Sequence, residues 1–235
     1  MSLLTISMAA LARGCALEMQ LLNRGLRGPG FFACGGHDMP AGSEVLVDAY
    51  AASRRLHNLR PNTSIRKKPS TNPLRWWFTA VEERPWPGET EDPEAANAIR
   101  KFDAQLAGVA AVLAGAATIA LNLRCQNFSG GSGMLRGLRY ARQSSADGEL
   151  GIPAHVDFGD FTLCHSEQQG LEVWERETSE WHALPPGQLY FLAAAGLERK
   201  SKGEVHAVQH RVSQSQDTER LSFCRLHGVP AALRK

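Results

Sequence analysis

Three side chains in the second half of the sequence have the types and spacing of a mononuclear metal site. His155 and Asp157 are separated by one residue, so in a β-strand both would project from the same face. His210 lies in a second strand-like run, where alternation places Val208, His210 and Val212 on one face. Two imidazoles and one carboxylate leave positions open on iron(II) for a co-substrate and dioxygen, whereas zinc more often takes thiolates or a third histidine. The spacing predicts His155, Asp157 and His210 as catalytic metal ligands.

A second pair of residues has the chemistry to bind a carboxylate. Arg220 and Ser222 follow His210 after ten residues and are again one residue apart, so one strand face would carry both. A guanidinium beside a hydroxyl suits a carboxylate because charged, bidentate hydrogen bonds are directional and strong. We therefore expect an anionic co-substrate or substrate to bind Arg220 and Ser222.

These residues lie within a series of short apolar runs that alternate with turn residues and predict β-strands. The runs are 152–157, 161–165, 171–175, 188–192, 206–212 and 220–226. Many short strands at near-regular spacing favour a sandwich, barrel or jelly roll, and a jelly roll has an interior that can hold a metal and small ligands.

Helices are predicted for the first half of the chain. A short strand at 3–6 precedes a helix at 9–22, and a further helix is predicted at 44–59. The strongest signal is Asp92-Pro93, an N-cap residue followed by proline at the first helical position. A stripe of apolar residues then continues at three- and four-residue steps, which predicts a core-facing helix. The stripe is Ile99, Phe102, Leu106, Val109 and Leu113.

The expected fold class is therefore α+β, with a double-stranded β-helix (jelly-roll) core and flanking N-terminal helices. At 235 residues and 43% hydrophobic composition, one domain spanning 1–235 is expected. Its N-terminal part, 1–128, would be helix-rich, and 134–227 would form the jelly-roll core with the iron site.

Composition also bears on partners and location. A net charge of +2 gives no sign of nucleic-acid binding. The basic loop 60–72 contains Arg66, Lys67 and Lys68 and is interpreted as solvated. The alternative interpretation is that this loop binds an anionic substrate. The five cysteines contain no C-x-x-C pair, which favours a reducing, cytoplasmic setting. No basic residue precedes the first apolar stretch, and the apolar run 106–121 is shorter than a membrane span, so neither secretion nor a membrane is expected.

The motifs together resemble one family. His155-x-Asp157, His210-Arg211-Val212 and Arg220-x-Ser222 occur in the order and at the intervals of the isopenicillin N synthase-like 2-oxoglutarate/iron(II)-dependent dioxygenases. The local context H-V-D-F-G-D-F-T-L is similar to the family's H-T-D-x-G-x-x-T-L, and G-L-E-V at 170–173 is similar to its G-L-x-V.

The resemblance implies Fe(II), 2-oxoglutarate and O2 as the reactants that the site binds. Arg220 and Ser222 would hold the distal carboxylate of 2-oxoglutarate, and Arg136 and Tyr140 match positions that assist co-substrate binding. Phe158, next to Asp157, is the candidate substrate contact.

The reaction that the resemblance implies is oxidation of a small molecule, most often hydroxylation, with release of succinate and CO2. The sequence departs from the family where Ala141 replaces a proline and Ala194-Ala195 replace Gly-Asp. Three alternatives stay open: an oxidase of the same fold that does not use 2-oxoglutarate, a non-catalytic ligand-binding barrel, and an oxygenase acting on protein or nucleic acid. The sequence specifies neither the substrate nor the oligomeric state.

Overall fold

Two β-sheets and five helices make up the part of the chain that the computed structural model describes, residues 3–39, 42–59, 75–81, 84–123, 133–141, 150–213 and 218–230. The helices are α1 (Met8–Ala12), α2 (Ala16–Arg27), α3 (Glu44–Asn58), α4 (Pro93–Ala120) and α5 (Ala195–Lys200). The strands are β1 (Thr5–Ser7), β2 (Phe31–Gly35), β3 (Arg75–Val81), β4 (Gly133–Tyr140), β5 (Leu150–His155), β6 (Phe161–Ser166), β7 (Leu171–Glu175), β8 (Glu180–Ala183), β9 (Leu189–Ala193), β10 (His210–Ser213) and β11 (Arg220–His227). The predicted basic loop 60–72 lies outside the described residues.

The strands form a larger sheet in the order β1-β2-β9-β6-β11-β4-β3 and a smaller sheet in the order β5-β10-β7-β8. Strands from the N-terminal half therefore extend both ends of the larger sheet. The smaller sheet contains antiparallel pairs only. Its pairs β5–β10 and β10–β7 join strands that are far apart in sequence, as is usual in a jelly roll, whereas β7 and β8 form a hairpin. The predicted α+β class with a jelly-roll core is confirmed.

Two strand boundaries differ from the sequence-based expectation at the metal site. β5 ends at His155, so Asp157 lies in the following turn and not on the same strand. β10 begins at His210, and Val208 precedes it in an irregular segment. The two histidines nevertheless meet, because His155 and His210 are direct partners in the antiparallel pairing of β5 with β10. The pairing of β5 with β10 therefore brings the two histidines together, and not the alternation of side chains along single strands that the sequence analysis assumed.

Helix α4 begins as the sequence predicts. The Asp92 side chain accepts a hydrogen bond from the Ala95 amide, and Pro93 occupies the first turn. The predicted apolar stripe is buried in the core, where α4 packs against α1, α2 and α3. Among the described helices α4 is the one long and apolar enough to cross a membrane, but a core helix passes the same test and this stripe faces protein.

The predicted helix 9–22 is instead two helices with a break at Arg13-Gly14-Cys15. Gly14 adopts a left-handed conformation with φ of 74°, and its amide donates to the Leu11 carbonyl. Glycine adopts this conformation at little cost, so it ends the short helix α1 and lets the chain turn into α2.

Helices α3 and α4 pack against the outer face of the larger sheet. The Phe223 ring of β11 lies 5.0 Å from the Tyr50 ring of α3 and 4.8 Å from the Phe102 ring of α4, measured between centroids. Successive strand residues point to opposite faces, so Ser222 and Cys224 point away from the helices, into the barrel. The helical layer therefore supports the strand whose other face lines the cavity described next.

Candidate metal centre

His155, Asp157 and His210 lie together at one end of a cavity inside the barrel. Each offers one ligand atom, and the three atoms lie within 4.8 Å of one another. The Nε2 atom of His155 is 3.7 Å from Asp157 Oδ1, and that of His210 is 3.7 Å from Asp157 Oδ2. No second group of three such side chains occurs among the residues that the structure describes. The spacing accommodates a single ion between the three groups.

Backbone carbonyls fix the orientation of both imidazoles. The Nδ1 atom of His155 lies 2.9 Å from the Pro153 carbonyl oxygen, and that of His210 lies 3.2 Å from the Val208 carbonyl oxygen. Because a carbonyl only accepts hydrogen bonds, Nδ1 of each ring must donate, which leaves the lone pair on Nε2. Burial lowers the pKa of His210, although Asp157 opposes this effect, and the neutral form is the one that binds a metal.

Thr162 orients the carboxylate ligand. Its hydroxyl donates to Asp157 Oδ2 at 2.5 Å, and the residue is 1% exposed at the second position of β6. A hydrogen-bond donor behind a ligand holds the ligand in place and tunes its basicity. The sequence analysis quoted this threonine as part of a motif but gave it no role. The threonine five residues after the aspartate was the available signal.

The site is open on one side. The His155 side chain is 37% exposed, whereas the His210 side chain is 8% exposed. A molecule in solution can therefore approach the site past His155, while His210 forms its inner wall.

A buried arginine lies elsewhere in the same cavity. Arg220 is 3% exposed, and its guanidinium donates to the Ser222 hydroxyl and to the Gln169 carbonyl, both at 3.1 Å. Its guanidinium carbon lies 5.1 Å from the centre of the Tyr140 ring. Within the described residues, no carboxylate forms an ion pair with Arg220. A buried cation without a charged partner is costly, so this site favours an anionic ligand.

Gly170 makes room for this arginine. Its φ is +130°, and a Cβ there would lie 2.6 Å from the Ser213 carbonyl oxygen and 3.1 Å from Arg220 Nε. Only glycine fits both the conformation and the space. The glycine of the G-L-E-V motif thus has a structural reason, which is to leave room for the Arg220 side chain beside the Ser213 backbone.

Two further predicted residues line the cavity, and one does not. Arg136 and Tyr140 both face the cavity from β4, and the buried Nε atom of Arg136 has no hydrogen-bond partner among the residues that the structure describes. Phe158 is 68% exposed and is not among the cavity-lining residues. It lies on the surface beside Asp157, because the turn after β5 directs it outwards.

The donor set suits Fe(II) and 2-oxoglutarate. Two imidazole nitrogens and one carboxylate are the protein ligands of the non-haem Fe(II) oxygenase triad, which keeps positions open for other ligands. Arg220 and Ser222 offer charged and neutral donors to a carboxylate in the same cavity. A dicarboxylate keto acid has one group for the metal and one for the arginine, and the residues that would bind them line the same cavity.

Comparison with known proteins gives matches confined mainly to the barrel. Residues 132–226 match the family described as the 2OG-Fe(II) oxygenase superfamily. The chain is 31% identical over 91 residues to flavanone 3-dioxygenase 3 of Oryza sativa subsp. japonica, and 36% identical over 96 residues to clavatol oxidase claD of Penicillium crustosum. Each alignment covers 38% of this chain and 28% of the relative. The matches thus span less than a third of these relatives' length.

Solved structures match over nearly the whole chain. The dioxygenase for auxin oxidation 1 from Arabidopsis thaliana, in binary complex with 2-oxoglutarate, has a TM-score of 0.83 at 16% identity and covers 98% of this chain and 94% of that one. The rice dioxygenase for auxin oxidation has a TM-score of 0.80 at 21% identity and covers 98% and 84%. At such identities these likenesses show the fold, including its N-terminal helices.

The family match, the fold and the grouping of His155, Asp157 and His210 agree, and the resemblance recognised in the sequence is confirmed at the level of the superfamily. Fe(II) and 2-oxoglutarate are the metal and co-substrate for which that superfamily is named. The barrel segment, residues 132–226, is thus the part of the chain that matches the 2OG-Fe(II) oxygenase superfamily.

Proposed function

We propose that this protein is an Fe(II)- and 2-oxoglutarate-dependent dioxygenase that hydroxylates a small organic molecule. The observation that carries the proposal is the shared cavity, which holds the three metal-ligating groups and a buried Arg220–Ser222 pair with no described carboxylate partner. Relatives of similar fold or sequence are named for flavanone and auxin, which supports a small-molecule substrate.

In this proposal His155, Asp157 and His210 hold the iron. The chemistry that the bound metal and co-substrate supply is oxidative decarboxylation of 2-oxoglutarate to succinate and CO2, coupled to hydroxylation of the substrate. Nδ1 donation to backbone carbonyls keeps both Nε2 atoms available, and the Thr162 hydroxyl holds Asp157 in position. The protein contributes a fixed ligand geometry before any reactant binds.

Arg220 and Ser222 hold the distal carboxylate of 2-oxoglutarate. Tyr140 lies against the guanidinium and restricts its orientation, and Arg136 adds a second positive charge to the cavity wall. The folded protein has already buried the Arg220 guanidinium, so binding of the carboxylate requires little further desolvation of this group.

The substrate reaches the metal from the open side, past His155. His155 is the more exposed of the two histidines, and the opposite side of the site is closed by the barrel. Phe158 is exposed next to this opening, and we retain it as a candidate contact for a substrate that extends beyond the cavity.

The co-substrate assignment is tested by calorimetric titration of 2-oxoglutarate into the Mn(II)-loaded protein. Replacing Arg220 by glutamine removes a charged hydrogen bond worth about 1.5–3 kcal/mol, which corresponds to a loss of affinity of about 10- to 100-fold. Arg54→Gln is the matched control, because Arg54 is exposed and pairs only with Glu167 among the described residues. Wild-type affinity in Arg220→Gln would contradict the assignment.

Two alternatives are distinguished by activity and metal binding. An oxidase of the same fold would oxidise its substrate without 2-oxoglutarate, so a screen of small molecules that monitors succinate by magnetic resonance separates it from the proposed enzyme. A ligand-binding barrel would not need the triad, and unchanged iron affinity in His155→Ala would contradict the metal-ligand assignment.

We further propose one domain over residues 1–235 and a cytoplasmic location, supported by the composition.

A further inference from the structure

Two cysteines lie opposite each other inside the cavity. Cys164 of β6 and Cys224 of β11 are direct partners in the antiparallel pairing of these strands. Their Sγ atoms are 3.4 Å apart, although the residues are 60 positions apart in sequence. Both residues line the same cavity as Arg220 and the metal-ligating side chains. The pair therefore lies in the wall of the site to which we assign 2-oxoglutarate.

The backbone geometry allows a disulfide between these residues. Directly opposed residues in an antiparallel pair have Cα atoms about 4.5–5.5 Å apart, within the range of about 4.4–6.8 Å found in disulfides. Bond formation at about 2.05 Å requires the sulfur atoms to approach by about 1.4 Å from their present separation, which small side-chain rotations can provide. Neither strand has to change its register.

The surroundings determine how fast the thiols react. The hydrogen bond with Cys224 and burial raise the pKa of Cys164, so this thiol resists deprotonation. Cys224 is the more exposed of the two and lies opposite Arg136 in the pairing of β11 with β4, so a peroxide in the cavity meets it before Cys164. Cys224 is therefore the sulfur that reacts first, and Cys164 is positioned to react second.

We propose that Cys164 and Cys224 are a redox-modification site, which a peroxide entering the cavity converts into a cross-strand disulfide. The Cys224 thiolate attacks one peroxide oxygen and breaks the O–O bond, which yields a sulfenic acid and, after protonation, water. The Cys164 sulfur then attacks the sulfenic sulfur, the S–O bond breaks, and a second water leaves with the Cys164 proton. Two thiols lose two electrons and one hydrogen peroxide gains them.

Occupancy of the cavity controls this reaction. The peroxide must pass through the space that 2-oxoglutarate fills in the proposed function. The control of oxidation by co-substrate therefore rests on that proposed function. A protein saturated with co-substrate keeps its thiols reduced, whereas one without co-substrate is oxidised. Reversible disulfides of this kind are compatible with a reducing compartment, where disulfides serve mostly as transient redox sensors.

The disulfide is tested on the metal-free protein with hydrogen peroxide as the oxidant. After free thiols are blocked with an alkylating agent, tryptic digestion without reductant should give peptide 143–176 joined to Leu221–Arg225, with the mass of both peptides less two hydrogens. Treatment with dithiothreitol should restore both thiols. Recovery of the two peptides unlinked, with intact thiols or higher oxides at Cys164 and Cys224, overturns the proposal.

Variants distinguish a specific pair from general thiol oxidation. Cys224→Ala should abolish the linked peptide and leave Cys164 unlinked. Cys15→Ser is the matched control, since Cys15 lies at the start of α2, where serine is a favoured capping residue, and it should form the link at the wild-type rate. Circular dichroism establishes that both variants fold, and the wild-type result stands without them. Loss of the link in Cys15→Ser would overturn the assigned pairing.

The dependence on co-substrate is tested with Mn(II) and 2-oxoglutarate together, compared with Mn(II) alone. At ten times the dissociation constant measured by calorimetry, the rate of linkage should fall by about tenfold, because about a tenth of the cavities remain empty. Measured 2-oxoglutarate binding without protection overturns the shared-cavity inference alone. Absence of 2-oxoglutarate binding overturns the proposed function, and the disulfide found in the metal-free protein would still stand.

Discussion

The Thr162 hydroxyl allows a sharp test of how the metal site is built. Thr162→Val keeps the branched shape of the buried side chain and removes the donor that lies 2.5 Å from Asp157 Oδ2. A hydrogen bond to a charged group contributes about 1.5–3 kcal/mol, and tenfold in affinity corresponds to about 1.4 kcal/mol. We therefore expect Mn(II) to bind the variant about 10- to 100-fold more weakly, as is usual when the partner of a metal ligand is removed.

The assay is calorimetric titration of Mn(II) into metal-free protein at fixed pH, with urea unfolding of the same samples as a check of the fold. Thr118→Val is the matched control, because the Thr118 hydroxyl donates to the Ala114 carbonyl within α4 at 2.7 Å. It should bind Mn(II) as the wild type does. If Thr162→Val also bound Mn(II) with wild-type affinity and was equally stable, the reasoning that Thr162 orients Asp157 would be refuted.

Three further predictions concern stability, each measured by urea unfolding. Asp92→Ala should lower the free energy of unfolding by about 1 kcal/mol through loss of the cap to Ala95, whereas Asp92→Asn should retain most of it. Burial lowers the pKa of His57 to about 3, so the unfolded chain takes up a proton below pH 6.5 that the folded protein does not, and stability falls by about 1.4 kcal/mol per pH unit towards pH 3. His57→Leu should remove this contribution to the slope, and an unchanged slope would contradict it. Gly137→Ala should cost about 1–3 kcal/mol because its methyl group would overlap the Phe78 ring, and wild-type stability would contradict this packing.

Features that depend on neighbouring residues were predictable from the sequence. The Asp92 cap and the start of α4 follow from an aspartate and a proline in consecutive positions, and both are present. The break at Gly14 was missed because the apolar spacing continued across it. The glycine itself was the local signal, since it ends α1 in a left-handed conformation. Strand β4 was missed for a different reason, since its partner β11 lies far along the chain.

The candidate site was predictable in its residue types but not in its connections. His155, Asp157 and His210 were identified from spacing, yet the contact between the two histidine rings, 4.3 Å apart at their centroids, depends on the register of β5 with β10. The closeness of Cys164 to Cys224 likewise depends on the register of β6 with β11. Register is set by the folded sheet as a whole, so a single sequence does not reveal it.

Alternate residues of strand β11 have two different roles, one in lining the cavity and one in contacting the helices. Arg220, Ser222 and Cys224 face the cavity, while Phe223 faces the helices and Arg225 forms an ion pair with Asp103 of α4. In a saturation-mutagenesis experiment, tolerance along this strand should therefore vary with a period of two residues. Substitutions at the cavity-facing positions would change ligand affinity, and those at the helix-facing positions would change protein abundance. Variants of this one strand can therefore distinguish effects on ligand binding from effects on folding.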